Sequence, residues 1–432
     1  MRYVSTNGKS GFATFREATL NGQAPDGGLY FPENIPALSA EFLGNLKNKS
    51  KADIAFEVVR PFVGETIPDE TLFQICAKTV DFDFPLVKIT ENIRALELFH
   101  GATLAFKDVG AKFMSQCLEY FSLKNGEKTI VIVATSGDTG GAVASGFLGA
   151  ANVEVVILYP TGKVSKVQEL QLTTLGQNIT ALEVTGTFDD CQTLAKKALA
   201  DKEIKSRVFL TSANSINVAR WLPQQFYYFY ALRQWNEDFA PIVSVPSGNF
   251  GNICAGLLAQ ASGLPVGKFI AACNANDMVA RYLQNGEQMI PKLSVSTISN
   301  AMDVGNPSNF VRILKLFRDD ANNLRETMEA VSVSDEKTAN TMREVFKNHN
   351  YILDPHGAVG FYALEKYLEQ NPNEKGFFLA TAHPVKFDSV TEILGQTGEV
   401  PTAVKELLSR PKQSIAINVE YNDLKDILLG KI

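Results

Sequence analysis

Runs of apolar residues punctuate the middle of the chain at 129–134, 153–159, 242–245 and 268–273, with weaker runs at 179–184, 208–210 and 377–380. Between them lie segments with apolar positions at helical spacing: 110–121, 140–149, 166–175, 190–200, 217–233 and 252–262. Strands that are apolar throughout and joined by helices predict a mostly parallel sheet covered on both faces. Right-handed crossovers then give a doubly wound α/β architecture. Residues 1–90 carry a different pattern. The turn Asp26-Gly27-Gly28-Leu29-Tyr30-Phe31-Pro32 precedes helical stretches at 41–46 and 52–62, which predicts a smaller N-terminal domain. The α/β region is expected over 91–395, in halves of about 95–240 and 241–395, and a C-terminal extension over 396–432. The stretch 305–370 reads as mostly helical.

The whole-chain properties narrow the function. A length of 432 residues suffices for two or three domains with a real core, and 45% hydrophobic with 20% charged residues is ordinary for a globular protein. A net charge of −6 argues against nucleic acid or anionic membrane as a partner. No apolar run approaches the roughly 20 residues of a membrane span, and the first ten residues lack a signal-peptide core, so a cytoplasmic protein is expected. Cys76, Cys117, Cys191, Cys254 and Cys273 are scattered and never spaced as CxxC, and the four histidines form no HExxH. Reduced thiols and no metal site follow.

Two strand-to-helix turns are rich in glycine. The run 129–134 leads into Thr135-Ser136-Gly137-Asp138-Thr139-Gly140-Gly141, and 242–245 leads into Pro246-Ser247-Gly248-Asn249-Phe250-Gly251-Asn252. Glycine permits close backbone approach, while free amides and the helix dipole converge on one point, so both turns suit phosphate or carboxylate. The bland alternative is a tight βα turn with a capped helix. Neither turn is GxGxxG, and no GxxxxGK[ST] occurs, so nicotinamide and ATP signatures are missing. Upstream, Lys107 sits among Phe99, Leu104, Ala105 and Phe106 with His100, Thr103 and Asp108 as the polar company. Such a lysine either snorkels to the surface or loses hydration and becomes a nucleophilic amine. An amine for an aldehyde plus two anion cradles fits pyridoxal 5'-phosphate.

With these residues assembled, the chain resembles the threonine synthase family, pyridoxal-phosphate enzymes of fold type II (tryptophan synthase β-like). The resemblance is carried by Tyr3-Val4-Ser5-Thr6, Asp26-Gly27-Gly28-Leu29-Tyr30, the stretches 97–108, 134–140 and 246–252, Ser212-Ala213-Asn214-Ser215-Ile216-Asn217, Ser299-Asn300-Ala301-Met302-Asp303-Val304 and Thr381-Ala382-His383-Pro384. It implies a lyase that turns O-phospho-L-homoserine and water into L-threonine and phosphate, the last step of threonine biosynthesis. It also implies that Lys107 carries the cofactor and that Gly248, Asn249, Phe250, Gly251 and Asn252 hold its phosphate. Asp138 would face the cofactor 3′ oxygen and Thr381 its pyridine nitrogen. Thr135, Ser136, Asn217 and Arg220 are candidates for the substrate phosphate, Arg220 because a guanidinium suits bidentate contact. Its alternative is a surface arginine on the 217–233 helix. Ser308 reads as a helix cap before Phe310. Rival functions are a phospholyase or a serine/threonine dehydratase of the same fold, or a non-catalytic protein that binds a phosphorylated metabolite. Either a monomer or a homodimer is compatible with the sequence.

Overall fold

The computed structural model describes residues 1–126 and 128–431. Its strands are β1 (Tyr3–Ser5), β2 (Tyr30–Pro32), β3 (Leu86–Lys88), β4 (Ile93–Glu97), β5 (Thr129–Ala134), β6 (Val153–Pro160) and β7 (Ile179–Val184). There follow β8 (Phe209–Ser212), β9 (Ile242–Pro246), β10 (Lys268–Cys273), β11 (Met328–Ser332), β12 (Gly376–Ala380) and β13 (Ile415–Ile417). A five-stranded sheet runs β13-β7-β6-β5-β8 and a six-stranded sheet β11-β10-β9-β12-β4-β3. All neighbours are parallel except β3 against β4. The small pair β1-β2 is antiparallel. The expected architecture of mostly parallel sheets beside a distinct N-terminal region is what forms.

The apolar runs are the most deeply covered strands. Residues 130–133 of β5 and all of β9 and β12 are buried, because helices cover both faces of each sheet. One core cluster joins the N-terminal helices to the space between the sheets. A second lies under the helices Asp335–His349 and Pro355–Gln370 against the six-stranded sheet, and a third packs Leu424 and Leu428 on the five-stranded one.

The chain begins the six-stranded sheet with β3 and β4, leaves to build β5 to β8, then returns for β9 to β12. It finishes by adding β13 to the five-stranded sheet. Strand β4 therefore pairs with β12, and β12 with β9. This juxtaposition sets the chain segments after β4, β9 and β12 side by side at one carboxyl edge, where open α/β sheets bind ligands.

One reading needs correction, and the mostly helical stretch 305–370 gains one short strand. The expected helix 217–233 is three pieces: Val218–Trp221, a tight Leu222–Gln225 turn, and Phe226–Gln234. Pro223, in the tight turn, has no N–H to give. The stretch 305–370 also contains β11, whose alternate residues Met328 and Ala330 are buried. Strands β1 to β3 and β13 carried no usable signal, being only three residues long, and Arg94 and Glu97 interrupt β4.

Gly376 stands where β12 meets β9, and a Cβ there would collide with the carbonyl of Ile242. Gly376→Ala should cost about 1–3 kcal/mol as an overpacking change and lower the thermal midpoint by several degrees. An unchanged melting curve would show that this strand pair yields without strain.

Candidate active site

Lys107 is placed by a turn that is clamped at both ends. The Thr103 amide donates to the Asp108 carboxylate at 2.8 Å, and the Thr103 hydroxyl donates to the same group. Gly101 is required here, since a Cβ would lie 2.5 Å from Asp108 Oδ2. Leu104 takes the left-handed conformation with φ 56°, uncommon for a branched side chain. The turn then lies antiparallel to the segment after β12. Ala105 pairs with Ala382, the Phe106 amide donates to the Thr381 carbonyl at 2.9 Å, and the His383 amide donates to the Leu104 carbonyl at 3.0 Å. The Tyr227 hydroxyl donates to the Phe106 carbonyl. Lys107 is the first residue of the helix Lys107–Asn125.

That placement weakens the ammonium form. Burial lowers the Lys107 pKa, Asp138 raises it, and Lys386 and Arg220 lower it further. The positive end of the helix dipole acts in the same direction as burial. The side chain retains about 20% exposure, so the amine is reachable.

Asp138 opens the helix Asp138–Phe147 after β5, on the facing sheet. Its Oδ2 lies 3.9 Å from Lys107 Nζ, while Oδ1 accepts from Lys386 Nζ at 2.7 Å and from Gln168 Nε2 at 2.8 Å. Burial pushes the carboxyl pKa up, but the two lysines and the hydrogen bonds from Lys386 and Gln168 outweigh it and hold the group far below its ordinary value. Lys386 is itself fully buried and also donates to the Thr103 carbonyl at 2.7 Å.

The second glycine turn is built from backbone. Gly248 packs on the 300–302 turn so closely that a Cβ would lie 2.6 Å from Met302 Cα. Phe250 is left-handed, φ 59°, and starts the helix Gly251–Ala261 without any side chain capping the first amides. Asn249 ties the loop to its neighbours: its amide donates to Ser215 Oγ at 3.0 Å and its Oδ1 accepts from the Ser308 amide at 2.6 Å. Asn252 Oδ1 accepts from Tyr228, and its buried Nδ2 has no partner. Behind the loop, His356 Nε2 accepts from the Ala301 amide at 3.1 Å and Nδ1 faces Asp354 at 2.6 Å. An acceptor at Nε2 assigns the proton to Nδ1.

The geometry is therefore an amine with weakened basicity near a helix start rich in unpaired amides. Residues 88–380 match the family described as pyridoxal-phosphate dependent enzyme, residues 2–80 the threonine synthase N terminus, and residues 357–428 the threonine synthase C-terminal family. The curated threonine synthase of Serratia marcescens is 43% identical over 421 residues, covering 96% of each chain. The crystal structure of threonine synthase from Escherichia coli superposes with a TM-score of 0.91 at 40% identity, covering 100% of both chains. A pyridoxal-phosphate-bound threonine synthase from Brucella melitensis gives 0.93 at 35% identity, covering 99% of this chain and 98% of that one.

The chain belongs to the threonine synthase family. It is a pyridoxal-phosphate-dependent enzyme, and the residues present fit that group. An unpartnered buried amide at Asn252, an uncapped helix start and a glycine that admits no Cβ form a cradle for a phosphate. For this family the fold and the turn at 97–108 now have their structural reasons.

The candidate site residues fall into two groups. Lys107, Asp138, Thr381 and the 248–252 turn lie at the facing carboxyl edges of the two sheets. Ser136 is exposed beside them. Thr135 instead organises its own loop, its hydroxyl donating to the Gly137 carbonyl and accepting from the Gly140 amide at 2.9 Å. Asn217 is fully buried, donates to the Thr19 carbonyl at 2.8 Å and caps the Ala219 amide. Both side chains are spent on structure. Arg220 is not a surface arginine: it is buried, donates to the Ala213 carbonyl at 2.7 Å, and keeps an unpartnered Nε. The helix after residue 308 is preceded by Asn309 at its cap position rather than Ser308.

Lys386, Gln168 and His356 were not foreseen. Only position marks Lys386, close behind the Thr381-Ala382-His383-Pro384 motif; Gln168 and His356 lie in helices with no distinguishing pattern. Among the described residues no group of three or more His, Cys, Asp or Glu could hold a metal ion. The five cysteines are free and buried. No described helix is long and apolar enough to cross a membrane.

Gly248→Ala should weaken cofactor binding at least tenfold by pushing the loop away from Met302, measured as the dissociation constant of the holoenzyme. Retention of wild-type affinity would place the cofactor phosphate elsewhere.

Proposed function

We propose that this site converts O-phospho-L-homoserine and water into L-threonine and inorganic phosphate. The observation that carries the reading is the Lys107 amine, weakened as a base by burial and held at the same sheet edge as the Gly251–Ala261 helix start, which no side chain caps. Pyridoxal phosphate, when bound, supplies an electron sink for negative charge developing on the substrate carbon chain.

In this reading Lys107 anchors the cofactor and Gly248, Asn249, Phe250, Gly251 and Asn252 hold its phosphate. Asn252 Nδ2 gains the partner it lacks. Thr381 would offer a neutral hydroxyl to the pyridine nitrogen, and Asp138 would face the 3′ oxygen. The Lys107 amine would be the base at substrate Cα and then at Cβ, and would return one proton to the chain end and one to Cα. A neutral amine is needed for the first of those tasks, and burial shifts Lys107 in that direction. Water then adds at Cβ.

The leaving phosphate needs donors. Ser136 offers an exposed hydroxyl and Arg220 a buried guanidinium whose Nε is unpartnered. Thr135 and Asn217 shape the backbone around them. The substrate is a small molecule, and its phosphate class is the part that rests on these donors.

Incubation with O-phospho-L-homoserine should release threonine and phosphate in equal amounts. Phosphate with ammonia and a keto acid would instead indicate a phospholyase of the same fold, and no product would remove the substrate. Lys107→Ala should abolish the visible absorbance of the covalently held cofactor together with turnover; a persisting band would overturn the anchor. Ser136→Ala should raise KM about two- to tenfold, the worth of one hydrogen bond, and leave cofactor affinity alone. An unchanged KM would move the substrate phosphate off this loop.

A further inference from the structure

Two lysines, one fully buried and one partly exposed, share one buried carboxylate, and only one of them has a task in the chemistry above. Lys386 has 0% side-chain exposure, yet its Nζ lies 2.7 Å from Asp138 Oδ1. The Thr103 carbonyl takes a second of its three N–H groups at 2.7 Å. Lys107 approaches the other oxygen of the same carboxylate, at 3.9 Å, beyond hydrogen-bond distance. Gln168 completes the contacts of Oδ1 at 2.8 Å.

A burial this complete is costly for an ammonium unless an anion and further acceptors surround it, and here both do. The arrangement sorts the two amines. Without Lys386, the Asp138 carboxylate would have one cation within reach, Lys107, and would hold it as ammonium. The geometry points to Lys386 as a positioning residue whose fixed ammonium occupies Asp138 and so leaves Lys107 a free amine for cofactor attachment and proton transfer. This rests on the reading of Lys107 as the cofactor anchor.

Other charges around Lys107 do not supply the same service. Arg220 reaches it as a second cation from the segment Val218–Trp221. Asp108, on the same helix, is engaged by Thr103, and the Tyr227 hydroxyl by the Phe106 carbonyl. His383 uses Nδ1 to accept from the Val385 amide. Asp138 is thus the anion that faces Lys107, and Lys386 is its direct ionic partner.

The test follows attachment of pyridoxal phosphate to apoprotein by absorbance across a pH series, with the attached lysine identified by borohydride trapping and peptide mass spectrometry. Lys386→Met leaves Asp138 facing Lys107 alone. Its attachment midpoint should move up by at least about one pH unit, roughly a tenfold slower reaction on the acid side. Asp138→Asn should move the midpoint down. The double variant Asp138→Asn/Lys386→Met carries no unpaired buried charge, and adding the second change should return the midpoint close to wild type. That comparison works even where Lys386→Met alone does not fold. A midpoint that stays put in Lys386→Met, or a double variant identical to Asp138→Asn, overturns the proposal while label remains on Lys107. Label on a different lysine overturns the anchor reading instead.

Discussion

The buried ion pair between Asp138 and Lys386 is the constraint on which the site depends. Asp138 belongs to the five-stranded sheet's carboxyl edge, and Lys386 follows β12 of the six-stranded sheet. Their 2.7 Å contact therefore links the two sheets at the candidate site. A buried pair adds little net stability over an apolar contact of equal size. Breaking one by removing a partner costs several kcal/mol, about 3–5, because a charge is stranded. The pair thus fixes the relative position of two edges while giving no reason to expect unusual stability from it.

Around that link the ligand cradles are made mostly of backbone. Gly248 leaves no room for a side chain against Met302, and Phe250 adopts a left-handed conformation so that the following amides open a helix. The loop's shape is then held from behind. Asp354 orients His356, His356 accepts the Ala301 amide, and the turn so fixed presses Met302 on Gly248. Each step is a hydrogen bond or a contact with buried partners, where geometry is stiff and an unmade bond is expensive. Preorganisation of this kind matters because donors fixed in advance need not reorganise as charge develops.

Much of this was legible in the chain. The apolar runs that became β5, β6, β7, β9, β10 and β12 announced the parallel sheets, since strands buried on both faces cannot alternate. Both glycine turns and the lysine turn were visible because their chemistry is local in sequence. What stayed hidden is what depends on contacts across the fold. Asn217 and Thr135 have phosphate-binding chemistry, but the structure uses their polar atoms on nearby backbone. Nothing in the sequence says which hydroxyl or amide is already spent. Lys386 has the opposite history. A lysine after a His-Pro turn reads as a surface residue, and only the closing of β12 against the facing sheet buries it beside Asp138. Strands β1 to β3 were missed because three residues give too brief a pattern to register, and β4 because Arg94 and Glu97 break its apolar run.

A carboxylate at position 138 would, by itself, be a poor neighbour for a base. At 3.9 Å from the Lys107 amine it favours the protonated form, against the effect of burial. A neutral amide there would avoid the conflict but could not balance a buried ammonium. Asp138 and Lys386 therefore make sense as a unit, whose net charge is close to zero where Lys107 stands. The dipole that remains has its negative end toward the amine, with the ammonium behind it. Such a unit restrains the amine without capturing it, and the choice of residue at 138 cannot be separated from the choice at 386.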